Sequence, residues 1–143
     1  MKIGELARLT QCTVETVRYY EREGLLPQTA RTEGNFRDYG NPHVERLRFI
    51  RNCRALDMSH EEIRNLLALI DQPAAGCGAI NGVFDEHIAH VEARIRELEE
   101  LKHSLRNLRD RCQSERTVND CGILHGLTEM AAPASKAKHT HLG

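Results

Sequence analysis

The apolar positions of the chain fall into blocks of different period. Residues 1–26, "MKIGELARLTQCTVETVRYYEREGLL", place Ile3, Leu6, Ala7 and Leu9 at helical intervals, and a second short helix follows a tight turn. Thr13 is the expected N-cap of that second helix, Val14 to Glu23, and Gly24 the glycine that ends it. This is helix-turn-helix spacing. Residues 27–40, "PQTARTEGNFRDYG", break the helical period with Pro and Gly-Asn and carry Phe36 and Tyr39 among Arg31, Asn35 and Arg37. They predict a short hairpin with a basic rim, a wing. Val44, Leu47, Ile50 and Leu56 return to helical spacing, and Ser59 with Glu62 three residues on forms a capping box before "IRNLLALI". Residues 71–78, "DQPAAGCG", read as a loop and boundary.

From about Gly82 to Cys112 a single helix is expected, without internal Pro or further Gly. Its apolar positions are Phe84, Ile88, Val91, Ile95, Leu98, Leu101, Leu105 and Leu108, with steps of 4, 3, 4, 3, 3, 4 and 3. That is a heptad seam with one three-residue skip. A helix of this length spans roughly 45 Å, too long to bury its stripe on a few short helices. A two-chain coiled coil is the expected solution; a long solvated helix is the competing one. A cysteine loop, a short apolar turn "ILHGLTEM" and a polar tail complete the chain.

Composition adds a compartment and a polarity. Charged residues are 29% of the 143 and aromatic residues 4%, as in a helical protein with an aliphatic core. Residues 1–60 carry ten Lys/Arg against eight Asp/Glu, and residues 61–143 ten against thirteen. The first part is therefore the one suited to a polyanion. No apolar run is long enough to span a membrane and the N-terminus is too polar for a signal peptide, so a cytoplasmic protein is expected. There disulfides are rare, and five cysteines, an odd count, lean toward metal or redox chemistry.

On the second helix Thr13, Thr16, Arg18 and Tyr19 are placed to face base edges, while Arg31, Asn35, Arg37 and Tyr39 on the wing are placed to clasp phosphates or the adjacent groove. The plain alternative is a helical hairpin with a solvated basic face. Cys12 and Cys53 read as small buried hydrophobes. Cys77, Cys112 and Cys121 differ, because each sits at an end of the long helix. Cys77 and Cys112 are 35 residues apart, roughly 50 Å of helix, so one chain cannot bring them to one ion. If two such helices pair antiparallel, Cys77 of one chain meets Cys112 and Cys121 of the other, a three-thiolate set suited to soft ions. Arg109 and Arg111 are placed to lower the thiol pKa, with a bound metal doing more. Three unconnected thiols, or a Cys112–Cys121 disulfide on oxidation, are the competing readings. His87 and His90, one turn apart, with Asn81 nearby and His139 and His141 in the tail, are candidates for a second, imidazole-rich metal site; a solvated face with a stray tail is the alternative. His43, His60, His103 and His125 read as structural or surface residues.

"IGELARLTQCTVETVRYYEREGLL" followed by "GNFRDYG" resembles the DNA-binding domain of the MerR family. "RNCRALDMS", "DEHIAHVEARI" and the Cys77, Cys112, Cys121 set before "GIL" resemble most its cadmium- and lead-responsive members, those of the CadR and PbrR type. The likeness covers about residues 1–127. It implies a homodimer joined by an antiparallel coiled coil, with Arg18, Tyr19, Arg37 and Tyr39 on double-stranded promoter DNA. It implies that the three cysteines bind Cd(II) or Pb(II), with Hg(II) and Zn(II) as alternatives. It also implies a switch in which metal-loaded protein bends an over-long promoter so that RNA polymerase engages both elements.

The expected fold is mainly α. A winged helix-turn-helix DNA-binding domain occupies 1–70, a linker loop with Cys77 71–81, the dimerisation helix 82–112, a metal-binding loop and short helix 113–130, and a His-containing tail 131–143. A metal-responsive regulator of metal-resistance or efflux genes is the leading function, against a cytosolic metal-sequestering protein. An enzyme is not expected, since the chain has no phosphate loop, nucleophile motif or paired carboxylates in a pocket context.

Overall fold

A computed structural model describes residues 1–74 and 76–132. The order is α1 (Ile3–Thr10), α2 (Val14–Arg22), β1 (Ala30–Arg31), β2 (Arg37–Asp38), α3 (Asn41–Ala55), α4 (His60–Ile70), α5 (Gly78–Arg109), a single 3-10 turn (Val118–Asp120) and α6 (Gly122–Glu129). The mainly helical fold matches the expectation. The chain divides into two compact units, Met1–Phe84 and Asp85–Gly143.

In the first unit the caps follow the sequence closely. Thr13 Oγ1 accepts from the Thr16 backbone N–H at 3.1 Å, which opens α2. Gly24 adopts φ 72°, and the N–H groups of Gly24 and Leu25 return to the carbonyls of Glu21 and Tyr20 at 3.1 and 2.9 Å. This left-handed closure is what a glycine at that position permits, and it sends Leu25 into the core. Ser59 and Glu62 form the reciprocal box that starts α4, with the Ser59 N–H donating to Glu62 Oε1 at 2.8 Å and the Glu62 N–H to Ser59 Oγ at 3.1 Å.

Leu6, Val17, Leu47, Ile50, Met58 and Ile63 are fully buried and draw α1 to α4 around one core. Ile80 and Val83 pack against the same core. The segment expected to be linker up to residue 81 is therefore helical from Gly78, four residues earlier than periodicity suggested. Burial of that apolar pair outweighs the weak helix propensity of Gly78 and Gly82.

Among the described residues the second unit holds the rest of α5, the loop after it and α6. α5 stops at Arg109 rather than Cys112, and residues 110–111 turn the chain. α6 then packs closely against that turn. A Cβ placed on Gly122 would lie 2.6 Å from the Arg111 carbonyl oxygen, and one on Gly126 would lie 2.6 Å from Arg111 Nη1. The heptad stripe stays open to solvent on the single chain, with Ile95, Leu98, Leu101 and Leu105 46–58% exposed.

Candidate DNA interface and thiol site

α2 and the wing frame an open cleft of ≈ 670 Å³ whose walls include Lys2, Arg18, Arg22, Arg31, Phe36 and Arg37. Thr13 and Thr16 are joined through their hydroxyls at 2.8 Å, so the residues expected to read bases also cap the helix that carries them. Arg18 is exposed, as a residue expected to reach base edges requires. The wing pairs Ala30 with Asp38 and Arg31 with Arg37 in antiparallel register. Asn35 takes φ 62° at its tip, and Arg31 Nη1 donates to the Asn35 carbonyl at 3.1 Å. Phe36 is 66% exposed, with Lys2 Nζ 5.9 Å from its ring centre.

Tyr39 corrects the sequence expectation. Its ring is 3% exposed and edge-on to His43, and its hydroxyl donates to Glu21 of α2, so in this structure it supports the wing from within instead of facing outward. The aromatic pair Phe36 and Tyr39 does not reveal which member points in, because two-residue strands carry too little alternation. Glu21 was not singled out by the sequence. Its carboxylate takes both Tyr39 and the Arg37 guanidinium, tying helix to wing. Burial, then the bond to Glu21, pushes the Tyr39 hydroxyl above its usual pKa. Its only sequence trace is a place one turn after Arg18 on the basic helix.

Tyr19 is half-buried, and its hydroxyl meets His60 Nδ1 of α4 at 3.2 Å. Cys12 and Cys53 fit the reading as small hydrophobes. Cys53 is buried, and desolvation raises its thiol pKa, while the half-buried Cys12 donates to the Thr10 carbonyl at 3.5 Å. His43 is structural. Its Nδ1 accepts from the Gly40 N–H at 3.1 Å, which leaves Nε2 to donate to the Pro27 carbonyl at 3.1 Å.

Cys77 is exposed just before α5, and its carbonyl accepts from the Asn81 N–H at 3.0 Å. Cys112 and Cys121 are half-buried and lie close together beyond the other end of the helix, where the Cys112 thiol donates to the Ser114 carbonyl at 3.6 Å. The Cys121 thiol is held below its ordinary pKa first by the N–H of Leu124, then by that of Ile123, and further by Cys112. The expected source, Arg109 and Arg111, is not the one found. Arg109 Nη1 instead donates to the Cys112 carbonyl at 2.9 Å, and the first turn of α6 supplies the N–H groups. His125 Nε2 bonds the Asn119 carbonyl at 2.9 Å and steadies the same loop.

His87 is buried and His90 half-buried, one turn apart on α5, and Asn81 is exposed earlier on that helix. His139 and His141 lie outside the described residues.

A helix-turn-helix followed by a two-stranded wing, with arginines lining the cleft between them, defines a DNA-binding domain of the winged helix-turn-helix class. Residues 1–70 match the model of the MerR HTH family of regulatory proteins, and residues 44–108 match its MerR DNA-binding model. The HTH-type transcriptional regulator ZntR homolog of Haemophilus influenzae is 50% identical over 114 residues, 80% of this chain and 84% of that protein. ZntR of Escherichia coli K12 is 40% identical over 133 residues, 92% and 94% of the two chains. The crystal structure of the transcription regulator PbrR691 from Ralstonia metallidurans CH34 in complex with lead(II) superposes with a TM-score of 0.81 at 53% identity, covering 89% of this chain and 98% of that one. The chain belongs to the MerR family of helix-turn-helix regulators. No helix among the described residues is long and apolar enough to cross a membrane.

Proposed function

We propose that this chain is a metal-responsive transcription regulator that binds double-stranded promoter DNA as a homodimer in the cytoplasm and acts on RNA polymerase there. A soft divalent ion, Cd(II) or Pb(II), is its signal, taken by Cys112 and Cys121 together with Cys77 of the partner subunit. The observation that carries the reading is the meeting of Cys112 and Cys121, with Cys121 biased toward thiolate by backbone N–H groups. A thiolate is the ligand form, so this pair fits a thiophilic ion. The exposed stripe of α5 supports the dimer that would bring Cys77 alongside, and the likeness to a regulator crystallised with lead(II) supports the ion class. Arg18, Arg31, Asn35 and Arg37, with Thr13, Thr16 and Tyr19, make the DNA face, and Tyr39 holds it in shape. Asn81, His87, His90, His139 and His141 remain the candidates for a second, imidazole-rich site.

The test is Cys112→Ser. Operator binding persists in a gel shift while metal-dependent transcription disappears; full activation by metal in this variant refutes the thiolate trigger. Titration of the reduced protein with cadmium, lead, mercury and zinc, read by transcription, ranks the ions and separates this reading from an Hg(II)- or Zn(II)-responsive regulator. A metal-sequestering protein would show no preference for its own upstream DNA.

A further inference from the structure

Three rings from two helices meet behind the DNA face. Tyr19 and Tyr20 of α2 lie with centroids 5.5 Å apart, and the His60 ring lies 5.4 Å from Tyr19 and 6.1 Å from Tyr20. The polar link among them is Tyr19 hydroxyl to His60 Nδ1 at 3.2 Å. Tyr19 follows Arg18 on the helix assigned to DNA, and His60 is the first residue of α4 after its Ser59 cap.

We propose that His60 is a positioning residue for DNA binding, which takes up a proton when Tyr19 turns its hydroxyl to a phosphate and so makes operator affinity rise as pH falls. This rests on the reading that Tyr19 lies on the DNA face, and takes its hydroxyl to contact a backbone phosphate there. In the free protein a neutral imidazole accepts at Nδ1 and draws the Tyr19 proton inward. At a phosphate that proton is needed outward, for a phosphate oxygen. His60 then takes one proton from solvent and donates Nδ1–H to the Tyr19 oxygen, so both bonds form without leaving an unpaired group.

The groups facing His60 set the sign. Arg54 of α3 and Arg64 of α4 oppose its charge, as does its place at the α4 N-terminus; Glu23 at the end of α2 favours it; the Tyr19 and Tyr20 rings are the other groups packed against it. Burial first, then Arg54 and Arg64, hold the imidazole pKa below its usual value against the pull of Glu23. His60 is therefore neutral in the free protein at pH 7, and phosphate anions raise its pKa on binding. Affinity gains as pH falls from the raised pKa toward the lowered one, and levels off below both. The gain is at most about tenfold per pH unit for each chain bound.

The experiment measures fluorescence anisotropy of a labelled duplex from upstream of the coding sequence, at fixed salt, from pH 8 to 5.5. Wild type is compared with His60→Asn, His60→Gln and Tyr19→Phe. Asn and Gln keep a hydrogen-bonding amide but cannot titrate; both are expected to lose the pH-dependent gain while retaining affinity at pH 8. Tyr19→Phe is expected to bind more weakly at every pH and to lose the same gain. If both amide variants keep the wild-type gain, or wild type shows none because only a tautomer changes, the proposal is overturned. If Tyr19→Phe lowers affinity yet keeps the gain, His60 acts without Tyr19 and the relay is wrong. If Tyr19→Phe changes neither quantity, Tyr19 does not face the DNA and the reading of that surface fails first.

Discussion

Gly122→Ala puts the placement of Cys121 to a direct test. The added Cβ would meet the Arg111 carbonyl oxygen at 2.6 Å, Arg111 Cβ at 3.2 Å and the Arg111 carbonyl carbon at 3.3 Å. Ordinary carbon–oxygen contacts start near 3.3 Å, so relief requires a shift of roughly 0.7 Å. The obstacle is main chain and cannot rotate aside. The first turn of α6 must lift, and Cys121, its N-cap, moves with it away from Cys112. Overpacking of this sort costs about 1–3 kcal/mol. At 1.4 kcal/mol per factor of ten, that is a loss of about 5- to 150-fold in affinity for an ion that needs both thiolates. The assay is a chelator-competition titration of reduced protein with Cd(II), followed by thiolate-to-metal charge-transfer absorption. Gly126→Ala is the control, because its nearest obstacles are the ends of side chains, Arg111 Nη1 at 2.6 Å and Leu108 Cδ2 at 3.0 Å, which can swing away. Cd(II) affinity within twofold of wild type for Gly122→Ala, or an equal loss in both variants, would refute the reasoning.

Leu98→Lys with Leu105→Lys places charge on a stripe now 46% and 58% exposed. Each leucine is worth about 1.5–3 kcal/mol when buried, so sedimentation equilibrium should show monomer, with helix content by circular dichroism preserved. Ser59→Ala removes the acceptor for the Glu62 N–H and should lower stability by about 1 kcal/mol in urea unfolding, without changing metal stoichiometry. Tyr39 and Tyr20 both have raised pKa values, with burial the largest cause in each. Their stabilisation is complete below the unfolded tyrosine value near 10 and is lost as pH rises through the folded values. The urea midpoint should therefore fall between pH 9 and 11, and less steeply in Tyr39→Phe.

The caps at Thr13, Gly24 and Ser59 were legible in the sequence because each is a local requirement, met within four residues. The helical stripes were legible for a similar reason, since period alone marks the inward face. The start of α5 was not, because Gly78 and Gly82 signal a break that only the burial of Ile80 and Val83 overrides. The roles of Tyr39 and Glu21 depend on a contact between residues 18 apart, which no local pattern encodes. The cysteines of the C-terminal loop stand out in the sequence by their spacing. What tunes Cys121 was misassigned, because arginine is visible in a sequence whereas backbone N–H groups aimed at a thiol are not.

The two-sided grip of Glu21 bears on how ionic strength would act on this protein. A free arginine reaching a phosphate releases the cation condensed there, and each such release steepens the fall of affinity with salt. Arg37 arrives already matched by a carboxylate. It brings shape to the wing but little net counterion displacement, so the salt slope should rest on Arg18 and Arg31. Glu21→Gln would release Arg37 to act as a full cation and steepen that slope by up to about one unit per chain.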